Sequence, residues 1–440
     1  MTTRAEVAHL LRRATFGPRA EEVDAAERAG YAATLEALLS PAGADAGAAR
    51  TPPPPLAPDP YLALDKNADR AAKQKAQQER REQAQTVALW WLDRMVQADQ
   101  QLPEKLTFFW HGHWATSIEK VNIAALMVGQ RQTMAQLGRG DFALMVKAML
   151  RDPAVILFLD GQKNTRQAAN ENLARELMEL FTLGIGNYTE DDVKAGARAL
   201  TGWQLNRDTG AAVFTKARYD SSEKTILGRT GDIDTDGFAD ILIAQPANAE
   251  FLARRLWYRY ASSEPIGDAP RGRLVAAYHP ARDVTALLRA LFSDPDFART
   301  GGQLVKQPVE WAVGAMRQLG IRPGELSDKE KKQLLQGLDL LGQVPLKPPS
   351  VGGWPAGTAW LTTSSAQLRL VAADFLAGHA DAAVAAKLTA VPAAQRIDAL
   401  ARLLVVDGFT DRTRAVLTPV AGDVRRLVTL GLASPEYTVM

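Results

Sequence analysis

The chain has 440 residues, with 52 Lys and Arg against 50 Asp and Glu, for a formal net charge of +2. That near balance removes any electrostatic case for nucleic acid or an anionic membrane surface as a partner. The complete absence of cysteine excludes disulfides, thiolate metal sites, iron–sulfur clusters and thiol nucleophiles.

The opening MTTRAEVAHLLRRATFG has no apolar run behind its basic residues, so it does not read as a secretory signal and a cytoplasmic location is expected. It reads as a short amphipathic helix with Val7, Leu10 and Leu11 on one face. This N-terminal helical segment, 1–60, ends in the proline run TPPPPLAPDP, which cannot be helical. One long helix is predicted from Ala68 to about Gln97, polar and solvated in its first half and core-facing from Val87 to Met95. Pro103 reads as the first residue of the next helix, LPEKLTFFWH. Further helices are expected over 119–136, 141–151, 168–183 and 190–201, with Asp152-Pro153 closing one and Thr189 with Asp192 capping another.

From Thr201 to Gly231 the period changes, and a small β-hairpin or ribbon is expected near residues 203–228. Helices resume at Asp236 and run to the end, broken by the loop KPPSVGGWPAGTAW. KAMLRDP (147–153) and RALFSDP (289–295) form a faint internal echo. No segment is long and apolar enough to span a membrane. The expected fold is mainly α, a multi-helix globular bundle with a small β insertion. Within one unit, 1–440, we expect helical lobes at 61–202 and 236–440 around a ribbon insertion at 203–235.

Chemistry points first to NENLARELMELFTLG. At helical spacing Asn172, Arg175, Glu176 and Glu179 share one stripe opposite Leu173, Leu177, Leu180 and Phe181. Such a stripe can bind a metal or polar ligand, or supply acid and base; it can equally be a solvated face with an intrahelical Arg175–Glu179 pair. In FFWHGHWATS, His111 and His113 are two apart, so on a continuous helix they diverge and cannot grip one ion. GDIDTDGFAD resembles the opening of a calcium loop, but Ile243 stands where the closing glutamate belongs, and Asp234 or Asp236 reads as a helix cap. PPSVGGWPAGTAW carries Trp354 and Trp360, either to stack on a planar ligand or to plug the loop onto the core.

Taken together, LLRRATFGP, LPEKLTFFWHGHWATS, RDPAVILFLD, the block NENLARELMELFTLGIGNYTEDDVKAGARALTGW, QPANAEFLARRLW, VKQPVEWAVGAMRQLG and PPSVGGWPAGTAW resemble the bacterial family known as domain of unknown function 1800 over nearly the whole chain. The resemblance implies a helical fold and no established reaction. It also implies members that are often exported, and neighbouring genes for an uncharacterised family similar to the alkaline phosphatases and sulfatases, a candidate partner. The sequence departs from the family pattern at three places. His-Asn-His becomes His111-Gly112-His113, a usual His-Asp-x-Gly-x-Lys becomes Tyr219, Asp220, Ser222 and Lys224, and the Asn and Lys of the tryptophan loop become Ser350 and Gly352.

The reading that follows is a hydrolytic or metal-assisted enzyme. Glu176, Glu179, His111 and His113 are its catalytic candidates, Asn172, Arg175 and Trp354 its substrate contacts. Glu176, Glu179 and His113 are the candidate ligands of a divalent metal. The rival reading is a non-catalytic scaffold or assembly factor for the partner encoded nearby.

Overall fold

The computed structural model describes residues 3–65, 67–206 and 209–440. The chain is 63% helical, with two separate two-stranded antiparallel sheets, so it belongs to the mainly-α class. Local chemistry sets many of the helix starts. Thr3 and Glu6 form a reciprocal capping box for Arg4–Ala14, and Thr189 with Asp192 does the same for Glu190–Ala199. Aspartates cap Arg70–Gln97, Phe142–Met149, Pro153–Phe158 and Val284–Phe292. Asp234 accepts from the Gly237 amide and caps Thr235–Ile243, while Asp236 pairs with Arg151 at 2.7 Å.

Some boundaries differ from those expected. The helix carrying Pro103 begins two residues earlier and runs Gln101–His113, through Gly112. Proline is tolerated throughout the first turn, where its missing N–H has no intrahelical acceptor to lose. The expected helix 168–183 starts only at Asn172, and from Leu177 to Thr182 it widens into a π-helical turn. The expected ribbon is two hairpins: Trp203–Leu205 with Ala212–Phe214, and Lys224–Ile226 with Arg229–Gly231. The polar first half of Arg70–Gln97 is not simply solvated. The proline-rich segment folds back on it, with Arg80 lying 3.8 Å over the Tyr61 ring and paired to Asp59 at 2.5 Å.

Two large hydrophobic cores organise the molecule, and neither is confined to one of the segments 61–202 and 236–440. The first joins Leu106, Trp110, Phe142 and Phe181 to Leu252, Tyr260 and Leu287. The second joins Trp91, Met95 and Phe108 to Trp311, Leu400 and Tyr437. Gln101–His113 sits at their junction, giving Phe109 and Trp110 to one and Phe108 to the other. The internal echo has a structural counterpart. Asp141 and Asp283, the caps of the two echoing helices, face each other in an antiparallel bridge, with Phe142 N–H donating to Arg282 and Val284 N–H to Gly140.

The first helix is locked from the far end of the chain. Gly17 lies against Gly314, where a Cβ at position 17 would stand 2.5 Å from the Gly314 Cα. Arg317 donates to the Gly17 carbonyl at 2.9 Å and to Glu22 at 2.8 Å. Among the described residues no helix is long and apolar enough to cross a membrane.

Candidate functional site

His111 and His113 diverge, as their spacing requires. His111 Nε2 accepts from the Leu346 amide at 3.0 Å, so the buried ring is neutral, and burial pulls its pKa down to about 3. His113 Nε2 donates to the Phe181 carbonyl at 3.0 Å, which leaves Nδ1 a buried acceptor without a partner. Burial first, and the Arg255 charge second, hold His113 far below the usual imidazole range.

The NEN segment does not converge on one point. Asn172 Nδ2 donates to the Leu159 carbonyl at 3.3 Å, a structural role. Arg175 turns away from Glu179 and forms a two-pronged pair with Glu190 at 2.8 and 2.7 Å, with Glu171 also at 3.2 Å. The expected Arg175–Glu179 pair is replaced because Glu190 and Glu171 occupy the Arg175 guanidinium. Glu179 accepts from the Tyr188 hydroxyl at 2.6 Å. Glu176 has no hydrogen bond or ion pair among the described residues, and its pKa is raised by burial first and then by the Glu179 charge. The two carboxylates remain a coupled pair, without their expected companions.

Among the described residues no three His, Asp or Glu side chains are grouped as a metal ion would require. The structure therefore does not gather Glu176, Glu179 and His113 into the expected ligand set. Asp220 and Lys224 belong to a closed network on the second hairpin: Arg198–Asp220 at 2.7 Å, Lys224–Asp232 at 3.1 Å, and Tyr219 donating to Asp232 at 2.7 Å.

A hollow borders the histidine helix at Phe108, Phe109 and Gly112. A cavity of about 160 Å³ is lined by Phe108, Phe109 and Gly112, by Arg255, Tyr258 and Arg259 of the helix Pro246–Tyr260, and by Gly352 and Trp354. Gly353 shapes it. At φ +85° it adopts a conformation that favours glycine, and a Cβ there would fall 2.3 Å from the Gly112 carbonyl oxygen. That contact seats the Trp354 ring 5.5 Å from Phe108 and 5.3 Å from His111. Trp360 is instead buried and plugs the loop onto the protein. Gly112 and Gly352 both line the hollow.

Behind the cavity lies an unbalanced set of buried charges. Glu310 pairs with Lys105 at 2.7 Å and with Arg259 at 2.9 Å. Although burial opposes ionisation, Arg259 and Lys105 hold its carboxyl at about 2. Arg13, Lys306 and Arg369 are also buried, and the field of Glu310 reaches both Arg13 and Lys306. Lys105 is drawn down to about 8 and Lys306 to about 7, burial being the largest cause for each.

Arg255, Arg259 and Glu310 escape sequence reading because ANAEFLARRLWYRY looks like an ordinary amphipathic helix. One signal was present: arginines at i and i+4 repel, and neither has an acidic residue three or four positions away.

Fold and site together define a helical protein with two large cores and an arginine-lined hollow at their junction. The family model described as "Protein of unknown function (DUF1800)" matches residues 9–439, and the chain belongs to that family. No curated protein and no solved structure matches it.

Proposed function

We propose that this protein binds a small organic ligand in the cavity between the helices Gln101–His113 and Pro246–Tyr260 and the tryptophan loop. One observation carries the reading: a glycine-on-glycine backbone contact holds Trp354 as a fixed wall of a hollow of about 160 Å³. Phe108, Phe109 and Tyr258 supply further aromatic wall. An engineered apolar cavity of about 150 Å³ accepts benzene, so a six-membered ring is the natural size of occupant here. Phenol is the neutral probe. It is expected to shift the Gly112 and Gly352 amide resonances saturably in wild type, and Trp354→Ala is expected to abolish the saturation. Gly112 and Gly352 resonances that ignore phenol would remove the reading.

A hydrolytic role for the Glu176–Glu179 pair has separate support in the raised pKa of the unpartnered Glu176 beside a second carboxylate. A carboxyl that stays protonated into the working pH range can act as a general acid. Carboxyl ¹³C titration should place Glu176 above ordinary glutamates, and Glu179→Gln should bring it down. An ordinary titration of Glu176 in the wild type would leave the acid role without support. The scaffold reading, with its phosphatase-like partner, draws only on an apolar hollow of about 230 Å³ beside the exposed Leu340 and Val371.

A further inference from the structure

Three arginines stand close together on the helix Pro246–Tyr260. Arg254 pairs with Glu250 at 3.4 Å and Arg259 with Glu310 at 2.9 Å. Arg255 has neither a hydrogen bond nor an ion pair among the described residues, and its Nε is sealed from solvent. A largely buried guanidinium without a counter-charge is costly to fold around. Arg259 is one turn further along the same face, and its Nη2 is likewise buried without an acceptor. Across the hollow, Trp354 Nε1 is buried and unpartnered too.

These three groups share one property: each is an N–H donor. No carboxylate lines the cavity to receive them. The wider surroundings lean the same way, since the buried cations Arg13, Lys105 and Lys306 all lie within the field of Glu310. Buried polar groups in native proteins are normally satisfied, so a cluster of open donors beside a cavity calls for an acceptor brought from outside. Guanidinium forks match carboxylate, phosphate and sulfate oxygens, and two of them on one helix face make a clamp for such a group.

We propose that the cavity is an oxyanion site in which Arg255 and Arg259, assisted by Trp354 Nε1, hold the carboxylate, phosphate or sulfate group of the bound ligand. This rests on the reading of the cavity as a ligand site and adds the chemical class of its occupant. The aromatic walls take the body of the ligand and the arginines take its charged end.

The test uses the full chain and three probes: benzoate, inorganic phosphate, and benzamide as the neutral counterpart of benzoate. Calorimetric titration should show saturable binding of benzoate or phosphate, weakened tenfold or more by Arg255→Gln. Arg255→Lys should fall between the two, and Arg254→Gln should bind as wild type. Binding of benzoate without phosphate would identify an organic acid, and phosphate without benzoate a free inorganic oxyanion; either supports the site. Melting gives a second readout that a merely structural arginine would not produce. Without anion, Arg255→Gln should melt at or above the wild-type temperature, because an uncompensated charge has gone. With saturating anion, wild type should melt higher than the variant.

If benzamide binds as well as benzoate and Arg255→Gln changes neither, the oxyanion proposal is overturned while the cavity remains a ligand site. If none of the three probes binds saturably and Arg255→Gln melts below wild type without anion, Arg255 is structural and the proposal fails. The phenol response of Gly112 and Gly352 then decides separately whether the cavity takes ligands at all.

Discussion

Replacing Glu310 with alanine is expected to lower the unfolding free energy by about 3–5 kcal/mol, the range for removing one partner of a buried ion pair. Lys105 and Arg259 would lose the carboxylate that now lies 2.7 and 2.9 Å away. Lys105 would keep its bonds to the Arg13 and Thr15 carbonyls at 2.7 and 2.8 Å, so it would stay buried, and without the Glu310 charge its pKa would fall further. The Gln307 amide, which donates to Glu310 at 3.2 Å at the start of Pro308–Leu319, would also lose its acceptor. Urea unfolding measures the effect. Adding Lys105→Met to the alanine variant should recover a substantial part of the loss, because it removes the stranded buried amine. A loss under about 1 kcal/mol, the scale of an exposed pair, would show that the cluster is hydrated and weakly coupled.

Acidification is expected to produce the second large effect, through His111. Its folded pKa of about 3 lies below the ordinary 6.5, so the unfolded chain binds a proton that the folded chain refuses. Stability from this group is complete above pH 6.5 and drains away as pH falls toward 3, amounting to about 4 kcal/mol at the lower end. The bond from the Leu346 amide to Nε2 explains the refusal, since protonating that nitrogen would set two donors against each other. His9, drawn down to about 4 by burial and then by Arg13, pushes in the same direction. Urea unfolding at a series of pH values should show a reduced slope between pH 3 and 6.5 in His111→Gln, whose amide oxygen can still accept from Leu346. Parallel curves for wild type and variant would show that His111 is hydrated and titrates normally.

The sequence carried the helical class because capping residues and apolar spacing act locally. Thr189 with Asp192, Asp152 before Pro153 and the change of period after Thr201 could all be read without knowing the rest of the fold. The π turn was not legible. Leu177, Phe181 and their neighbours bury well under either period, so the apolar pattern does not reveal the change of pitch. The partition of the cores was hidden for a different reason, because Phe108 and Phe109 are adjacent in sequence yet enter separate cores. The candidate site was half visible. Trp354 and the histidine helix were found by composition, whereas Arg259 and Glu310 acquire meaning only when residues 51 positions apart meet behind the cavity. Predicting convergence of Asn172, Arg175, Glu176 and Glu179 assumed an unbroken α-helix, and Glu190 offered Arg175 a partner that no single-helix reading could supply.

The Gly17–Gly314 contact also constrains how the chain is made. At roughly 5–20 residues per second, a ribosome delivers the helix containing Gly314 tens of seconds after Gly17 has emerged. Throughout that interval the Gly17 backbone lacks its packing partner, and Val7, whose buried cluster includes Val405, lacks part of its cover. Co-translational folding of the first few hundred residues can therefore yield only an unsealed intermediate, and the amino-terminal segment closes into place late.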